Sequence, residues 1–352
     1  MAKLRLGVIG AGSWAVASHL PNFAKRRDDV EFVGVCRKGP ELLAKIKDDW
    51  GFQMASEDYR DVIDAGLDIC LVASPHGLHY EHAKAALEAG AHVLCEKPFT
   101  VEPEHAWDLV RTAEAKGLHL LLSYGWNYRP WVREAKRLMV EHGVGEIEES
   151  ALQMASVTRE LLANLAAYPG ASPEAVPEVA TWTDPRNGGG YGQAQLTHAL
   201  GVALWLTGLR GEAAFALTKA VLEATVEHHE AAVIRYDNGS IGTMAGGSCH
   251  LDAGGNRHQL EFRAIGSEGQ LAIDLERDYL WLWRSDGVEV KPELEEGAFL
   301  YDCDGPPNAL VDLALGKEVE NCSPGELGAR TVEILDAAYR SVASGQLEHV
   351  RR

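Results

Sequence analysis

Short apolar runs alternate with amphipathic segments from Leu4 to Ser123, the pattern of β-α-β units that feed a parallel sheet. Six strands are predicted: Leu4 to Ile9, Glu31 to Cys36, Phe52 to Ala55, Asp68 to Ala73, His92 to Cys95 and His119 to Ser123, with helices in the intervals. Their Val, Ile and Leu content suits strands buried on both faces better than half-exposed antiparallel ones. Between Leu78 and Ala89 the small and apolar positions Ala83, Ala86, Leu87 and Ala89 recur near the helical period, and Gly90 is placed to end that helix.

The texture changes after Tyr124. A helix from Trp131 to His142 precedes longer strand-like runs at Glu148 to Thr158, Ala231 to Tyr236, Ser240 to Ala245, Gln259 to Ala264 and Leu271 to Asp274. These runs alternate, and turn signals at Asp237-Asn238-Gly239 and Gly266-Ser267-Glu268-Gly269 join them, so a large, mostly antiparallel open sheet is expected. One of its faces would be exposed or covered by a second subunit, as in a homodimer or homotetramer. Tyr168 to Asn187, with Pro169, Pro173, Pro177 and Pro185, reads as a long loop. The fold class expected is an N-terminal doubly wound Rossmann domain (1–124) followed by an α+β domain (125–352) for substrate binding and oligomerisation, whose last helix packs back on the first domain.

A length of 352 residues agrees with two cores. The six cysteines are scattered without a CxxC pair, which fits reduced thiols in a cytosolic protein. The chain enters its first apolar run within three residues, without the basic, apolar and small-residue order of a secretory leader, and its apolar stretches fall far short of the roughly 20 residues of a membrane span. A cytoplasmic location is expected. With 52 acidic against 33 basic residues the net charge is -19, which repels phosphate backbones and argues against nucleic acid as a partner. A small anionic cofactor needs only local donors and is compatible with that exterior.

Such donors follow the first strand. Gly10-Ala11-Gly12-Ser13-Trp14-Ala15 is a GxGxxA fingerprint opening a helix. Gly10 permits the tight turn, Gly12 admits a pyrophosphate to the backbone, Ala15 allows close helix-sheet packing, and the helix start supplies N–H groups to the anion. A carboxylate after the second strand would bond an NAD ribose; this chain has Arg37 and Lys38 there, which favours NADP over NAD. Ser74 and Pro75, at the carboxyl end of the fourth strand, are candidates to line the dinucleotide. His76 reads equally as a cofactor contact and as a capping or surface histidine.

The fifth strand ends in Cys95-Glu96-Lys97-Pro98. Taken with Gly10-Ala11-Gly12, Gly90-Ala91-His92-Val93-Leu94 before it, Gly188-Gly189-Gly190 with His198, and Ser323-Pro324-Gly325-Glu326, it gives a chain that resembles the glucose-fructose oxidoreductase, inositol dehydrogenase and MocA family along nearly its whole length. The resemblance implies an NAD(P)-dependent enzyme acting on a secondary hydroxyl of a sugar, sugar derivative or cyclitol. It implies that Lys97 reaches that hydroxyl, that Glu96 fixes the cofactor side or the loop, and that a cis peptide bond precedes Pro98. An ammonium in a drier pocket is a reasonable proton shuttle, because its pKa falls toward neutrality there. Family members commonly carry an aspartate four residues before the histidine matched by His198; here that position is Ala194, flanked by Gln193 and Gln195. Lys97 and His198 are left as the proton handlers.

Asn127 and Arg129, in Tyr124-Gly125-Trp126-Asn127-Tyr128-Arg129-Pro130, match a family segment that faces cofactor and substrate. Tyr128, Trp182, Tyr191 and Gln195 are substrate candidates, Trp182 and Tyr191 through stacking on a sugar face. No metal site is expected, and His228-His229 and the acidic stretch from Glu293 to Glu296 read as solvated. Two competing functions remain: a redox-neutral glycosidase or eliminase in which transient oxidation acidifies a neighbouring C–H, and a non-catalytic dinucleotide-sensing protein.

Overall fold

The apolar runs of the first part become strands with almost no exposed surface. The computed structural model describes residues 2–167, 179–250, 258–295, 297–298 and 300–352. Strands β1 (Leu4–Ile9), β2 (Val30–Cys36), β3 (Met54–Ser56), β4 (Ile69–Val72), β5 (His92–Cys95) and β6 (Leu120–Leu122) form a parallel sheet in the order β3-β2-β1-β4-β5-β6. The order reverses between β1 and β4, and at such a switch point the connections leaving neighbouring strands run to opposite faces of the sheet and leave a crevice, where open α/β sheets bind ligands. All residues of β4 are fully buried, as a strand covered by helices on both faces must be. Strands β1 and β5 keep their predicted bounds. The third strand is corrected: it starts at Met54, and Phe52 instead packs its ring 5.0 Å from that of Phe32.

The second sheet contains β7 (Ile147–Ser156), β8 (Gly211–Lys219), β9 (His229–Tyr236), β10 (Ile241–Ser248), β11 (His258–Gly266), β12 (Gly269–Asp274), β13 (Tyr279–Arg284), β14 (Glu289–Val290) and β15 (Glu348–His349). Its order is β14-β13-β12-β11-β7-β10-β9-β8-β15, antiparallel throughout except where β7 pairs with β10. Gly239, at φ +87°, turns β9 into β10 as the Asp-Asn-Gly signal predicts. One face lies under the helices Thr197–Thr207 and Gly325–Ser344; the other leaves Phe215, Leu217, Val233 and Ile241 exposed.

Helix Gly325–Ser344 also packs on helix Pro103–Lys116, and the Leu122 amide donates to the Ser323 carbonyl at 2.8 Å beside β6. Two expectations change. Tyr168, Pro169, Pro173 and Pro177 of the predicted loop lie outside the described residues, but its remainder is not irregular: it holds helical turns at Ala180–Thr183 and Pro185–Asn187, the second capped by Asp184. His228, read as solvated, is fully buried, with Nε2 3.1 Å from the Arg159 carbonyl oxygen. Glu296 lies outside the described residues. Among the described residues no helix is long and apolar enough to cross a membrane.

Candidate active site

A cavity of about 1290 Å³ opens along the carboxyl ends of β1, β2, β4 and β5 and continues toward the second sheet. Its first end is built from turns. Gly10 sits at φ +89°, and a Cβ there would lie 2.2 Å from the Ser74 amide nitrogen, so the crossing of the two strand ends requires glycine. At Gly12 a Cβ would meet only the Gly10 carbonyl oxygen at 3.9 Å: the space beside this backbone is open, as a pyrophosphate cradle needs. Ser13, Trp14 and Ala15 line the same wall at the start of the following helix. Arg37 and Lys38 close the corner after β2; the Arg37 guanidinium donates to the carbonyls of Lys38 (2.9 Å) and Ala11 (3.3 Å). Arg60, beyond the reach of sequence reasoning, lines this end as a third cation. The donors and the open cradle fit a dinucleotide.

The next part is a knot of buried polar groups around β4 and β5. Ser74, Pro75 and His76 line the cavity. His79 lies between the carbonyl oxygens of Ser74 and Pro98, 2.8 Å from each, and so ties the two strand-end loops together. His76 Nδ1 is 3.1 Å from the Gly188 carbonyl oxygen, which brings the glycine run of the second region to the sheet edge. The Lys97-Pro98 bond is cis. Glu96 Oε1 stands 2.5 Å from Nε2 of buried His19, and its Oε2 accepts from the Lys97 amide at 3.0 Å. Burial alone would raise the Glu96 pKa, but hydrogen bonding and charge from His19, with the charge of Lys97, outweigh it and lower the pKa to about 2. His19 was missed by the sequence reading; it lies on the helix after the glycine loop, with no local signal to separate it from a core histidine.

Lys97 is half-buried and directs its ammonium at the Ala194 carbonyl, 3.0 Å away, with the Trp182 ring centroid at 5.8 Å. Ala194 belongs to a π-helical turn, Gly192–Leu196, that leads into the helix carrying His198. Such turns recur at functional sites. Lys97 therefore meets the backbone carbonyl of the residue at which the resemblance implies an aspartate. Burial lowers its pKa from the ordinary lysine value, opposed by the charge of Glu96. His198 and His258 line the cavity beside it; burial, then the charge of Lys97, lowers His198 well below the usual imidazole range and His258 to about 4. His76 falls to about 3 by burial, with the charges of His79 and Lys97 adding to it. Trp126, Tyr301, His258 and His198 form an aromatic wall, with Tyr301 5.8 Å from Trp126, 5.9 Å from His258 and 6.0 Å from His198. His258 and Tyr301 carried no sequence signal, since a histidine at the start of an alternating strand reads as an edge residue.

Of the residues selected from sequence, Gly10, Gly12, Ser13, Trp14, Ala15, Arg37, Lys38, Ser74, Pro75, His76, Glu96, Lys97, Trp182, Gln195 and His198 all line this one cavity. Four others are placed elsewhere. Asn127 is fully buried and donates to the carbonyls of Cys322 and Gly201; Tyr128 stands 3.1 Å from the Ser323 hydroxyl; Arg129 donates to the Gly297 carbonyl. Tyr191 lies behind the π-helical turn, 3.2 Å from the Met154 carbonyl. Among the described residues no group of three or more His, Cys, Asp or Glu side chains is placed to hold a metal ion.

A six-stranded doubly wound sheet with a glycine cradle, joined to an open mixed sheet that closes the same cavity, is the two-part architecture of a dinucleotide-binding protein. Residues 4–124 match the oxidoreductase family, NAD-binding Rossmann fold, and residues 132–272 match the GFO/IDH/MocA C-terminal domain. The chain belongs to the Gfo/Idh/MocA family. It is 25% identical over 314 residues to levoglucosan dehydrogenase of Pseudarthrobacter phenanthrenivorans, covering 79% of this chain and 75% of that protein. To D-glucoside 3-dehydrogenase of Escherichia coli it is 35% identical over 129 residues, so that it spans about a third of that relative, 36% of each chain. The fold of levoglucosan dehydrogenase in complex with NADH and levoglucosan superposes with a TM-score of 0.77 at 22% identity over 100% of both chains; that of the WlbA dehydrogenase from Bordetella pertussis in complex with NADH and UDP-GlcNAcA gives 0.76 at 19%, again over 100% of both.

Proposed function

We propose that this protein oxidises or reduces a secondary hydroxyl of a sugar, sugar derivative or cyclitol, with Lys97 and His198 handling the hydroxyl proton and with NADP preferred over NAD. The observation that carries this reading is the Lys97 ammonium, held by the Ala194 backbone carbonyl at the junction of the glycine-loop end and the aromatic end of the cavity. Nicotinamide, when bound, supplies the hydride acceptor or donor. Neutral Lys97 takes the hydroxyl proton as the C–H bond is broken, and the burial that lowers its pKa favours that neutral form. Neutral His198 hydrogen-bonds the same or an adjacent hydroxyl. Trp182, Trp126 and Tyr301 offer rings to the apolar face of the sugar and exclude water. Gln195 adds an uncharged hydrogen-bonding partner.

Arg37 and Lys38, with Arg60 beside them, suit the 2′-phosphate of NADP. The experiment is a panel of sugars, inositols and their acids with both nicotinamides, following reduced cofactor. Turnover of a polyol that Lys97→Ala abolishes supports the reading, and a Lys97→Ala protein with native rate refutes it. A second reading is favoured by one observation: over 126 residues the chain is 33% identical to a glycosyl hydrolase family 109 protein of Shewanella amazonensis, 32% of this chain and 27% of that one. Cleavage of a glycoside without net formation of reduced nicotinamide would select it. The exposed Phe215, Leu217, Val233 and Ile241 face supports a homodimer or homotetramer formed through the second sheet, checked by sedimentation of wild type against Val233→Asp.

A further inference from the structure

Behind the π-helical turn, on the side away from the cavity, lies a group that the proposed chemistry does not use. The Gly192 amide donates to Glu227 Oε1 at 2.9 Å, and the Tyr339 hydroxyl donates to the same oxygen at 2.8 Å. That hydroxyl in turn accepts from the Gln193 amide at 3.2 Å, and the Tyr191 amide donates to the Glu227 carbonyl at 3.1 Å. Three successive amides at the start of the turn are thus held by Glu227 and Tyr339. The backbone there is shaped to admit them. A Cβ on Gly190 would lie 2.3 Å from Glu227 Oε2, and one on Gly192 would lie 2.2 Å from Glu230 Oε2 and 2.6 Å from the Tyr339 hydroxyl oxygen. The alternation Gly190-Tyr191-Gly192 is therefore the imprint of two carboxyl groups pressed against the chain.

Glu230 is 3% exposed, and neither of its carboxyl oxygens has a hydrogen-bond partner among the described residues. Burial, and then the charge of Glu227, raises its pKa to about 8, so the second carboxyl is largely protonated at neutral pH and leaves Glu227 as the acceptor.

Two residues beyond Gly192 is Ala194, whose carbonyl receives the Lys97 ammonium. We propose that Glu227 and Tyr339 are positioning residues: they fix the first amides of the π-helical turn so that the Ala194 carbonyl is presented to Lys97 and His198 is aimed into the cavity. The anchor takes the place of the side-chain carboxylate that the family pattern would put at position 194, because the ammonium is oriented by a backbone carbonyl whose own position is set from behind. This rests on the reading of Lys97 as the proton handler.

The test uses the full chain with bound NADP and compares Glu227→Ala, Glu227→Gln, Tyr339→Phe and Lys97→Ala. Two readouts are taken: amide hydrogen exchange over residues 190–198, measured with and without NADP, and kcat on the best polyol from the panel. Glu227→Ala is expected to raise exchange in that segment at least tenfold and lower kcat at least tenfold, with the NADP dissociation constant within twofold of wild type. Glu227→Gln keeps the accepting oxygen for Gly192 and Tyr339, and is expected to restore both readouts to within threefold. Tyr339→Phe should give a smaller loss in the same two readouts. A folded Glu227→Ala protein with native exchange and native kcat overturns the proposal, as does a Glu227→Gln protein as impaired as Glu227→Ala. If Glu227→Ala does not fold, Tyr339→Phe decides in the same way. Native activity in Lys97→Ala would instead defeat the functional reading, while the exchange data would still report on the anchor.

Discussion

At the end of the cavity nearest β2, Arg37 and Lys38 on a turn and Arg60 on a short helix present charge close to solvent, whereas the other end holds Lys97, His198, His258 and His76, each driven by burial toward its neutral form, beside Glu96, whose carboxylate His19 and Lys97 keep ionised. Both ends belong to one continuous space. On the proposed function, the difference follows from what each end has to recognise. A phosphate-bearing cofactor is held by fixed charge and backbone donors, which retain their strength beside water. A hydroxyl that must lose or gain a proton needs groups able to change protonation state, and desolvation is what brings an ammonium within reach of that change.

The largest test of this contrast is Lys97→Ala. It should lower hydride transfer by about 10²–10⁴-fold, the usual worth of a positioned acid-base group, while calorimetry still detects NADP binding at the charged end. Loss of cofactor binding together with turnover would mean that the two ends do not act separately. Next in size is Arg37→Asp, which removes a charged donor and adds a carboxylate for a ribose hydroxyl. With charge-assisted hydrogen bonds worth about 1.5–3 kcal/mol, the ratio of kcat/KM for NADP to that for NAD should fall roughly 10–100-fold. Unchanged ratios would place the preference elsewhere.

Lys97 also sets a pH dependence at the dry end. Because its pKa is lowered, the rate of alcohol oxidation should rise with pH to a plateau whose inflection lies below the ordinary lysine value of about 10.4. An inflection at or above that value would mean a solvated amine.

The smallest expected effects concern stability. The folded-state pKa of His258 is depressed to about 4 and that of His76 to about 3, so the unfolded chain binds more protons below about pH 6.5 and stability falls as the pH drops from there. Glu230 behaves oppositely. Its folded pKa is raised to about 8, so its contribution is complete below about pH 4.3 and is lost as the pH rises through about 8, at no more than about 1.4 kcal/mol per unit. Glu230→Gln should therefore melt progressively higher than wild type between pH 5 and pH 8. A melting difference that is flat across that range would show that the carboxyl is not titrating from a buried, neutral state.

Most of the charged end could be read from sequence, because its parts are consecutive. Gly10, Gly12, Arg37, Lys38 and Ser74 occupy turns at the ends of strands, with Ala15 opening the helix that follows the first, and a turn advertises itself through local spacing: an apolar run, then glycine, then a helix. Lys97 and His198 were legible for a different reason, a motif resemblance, and their separation of about a hundred residues gave no hint of which atoms they face. Asn127, Tyr128, Arg129 and Tyr191 share the motif segments yet point into the body of the protein, since resemblance carries a position and not the direction of a side chain.

What the sequence by itself determined is the alternation of buried strands and helices and the residue types available at the carboxyl ends of those strands, all of them consequences of periodicity and of the conformations that glycine and proline allow. Only the tertiary structure decided the rest. His19 meets Glu96 across 77 positions, Lys97 finds the Ala194 carbonyl across 97, and Glu227 from a loop and Tyr339 from the last helix close on the amides of Gly192 and Gln193. Those contacts depend on how two sheets and the last helix pack. The protonation states that the chemistry needs arise from the burial that this packing produces, a quantity with no local signature along a chain.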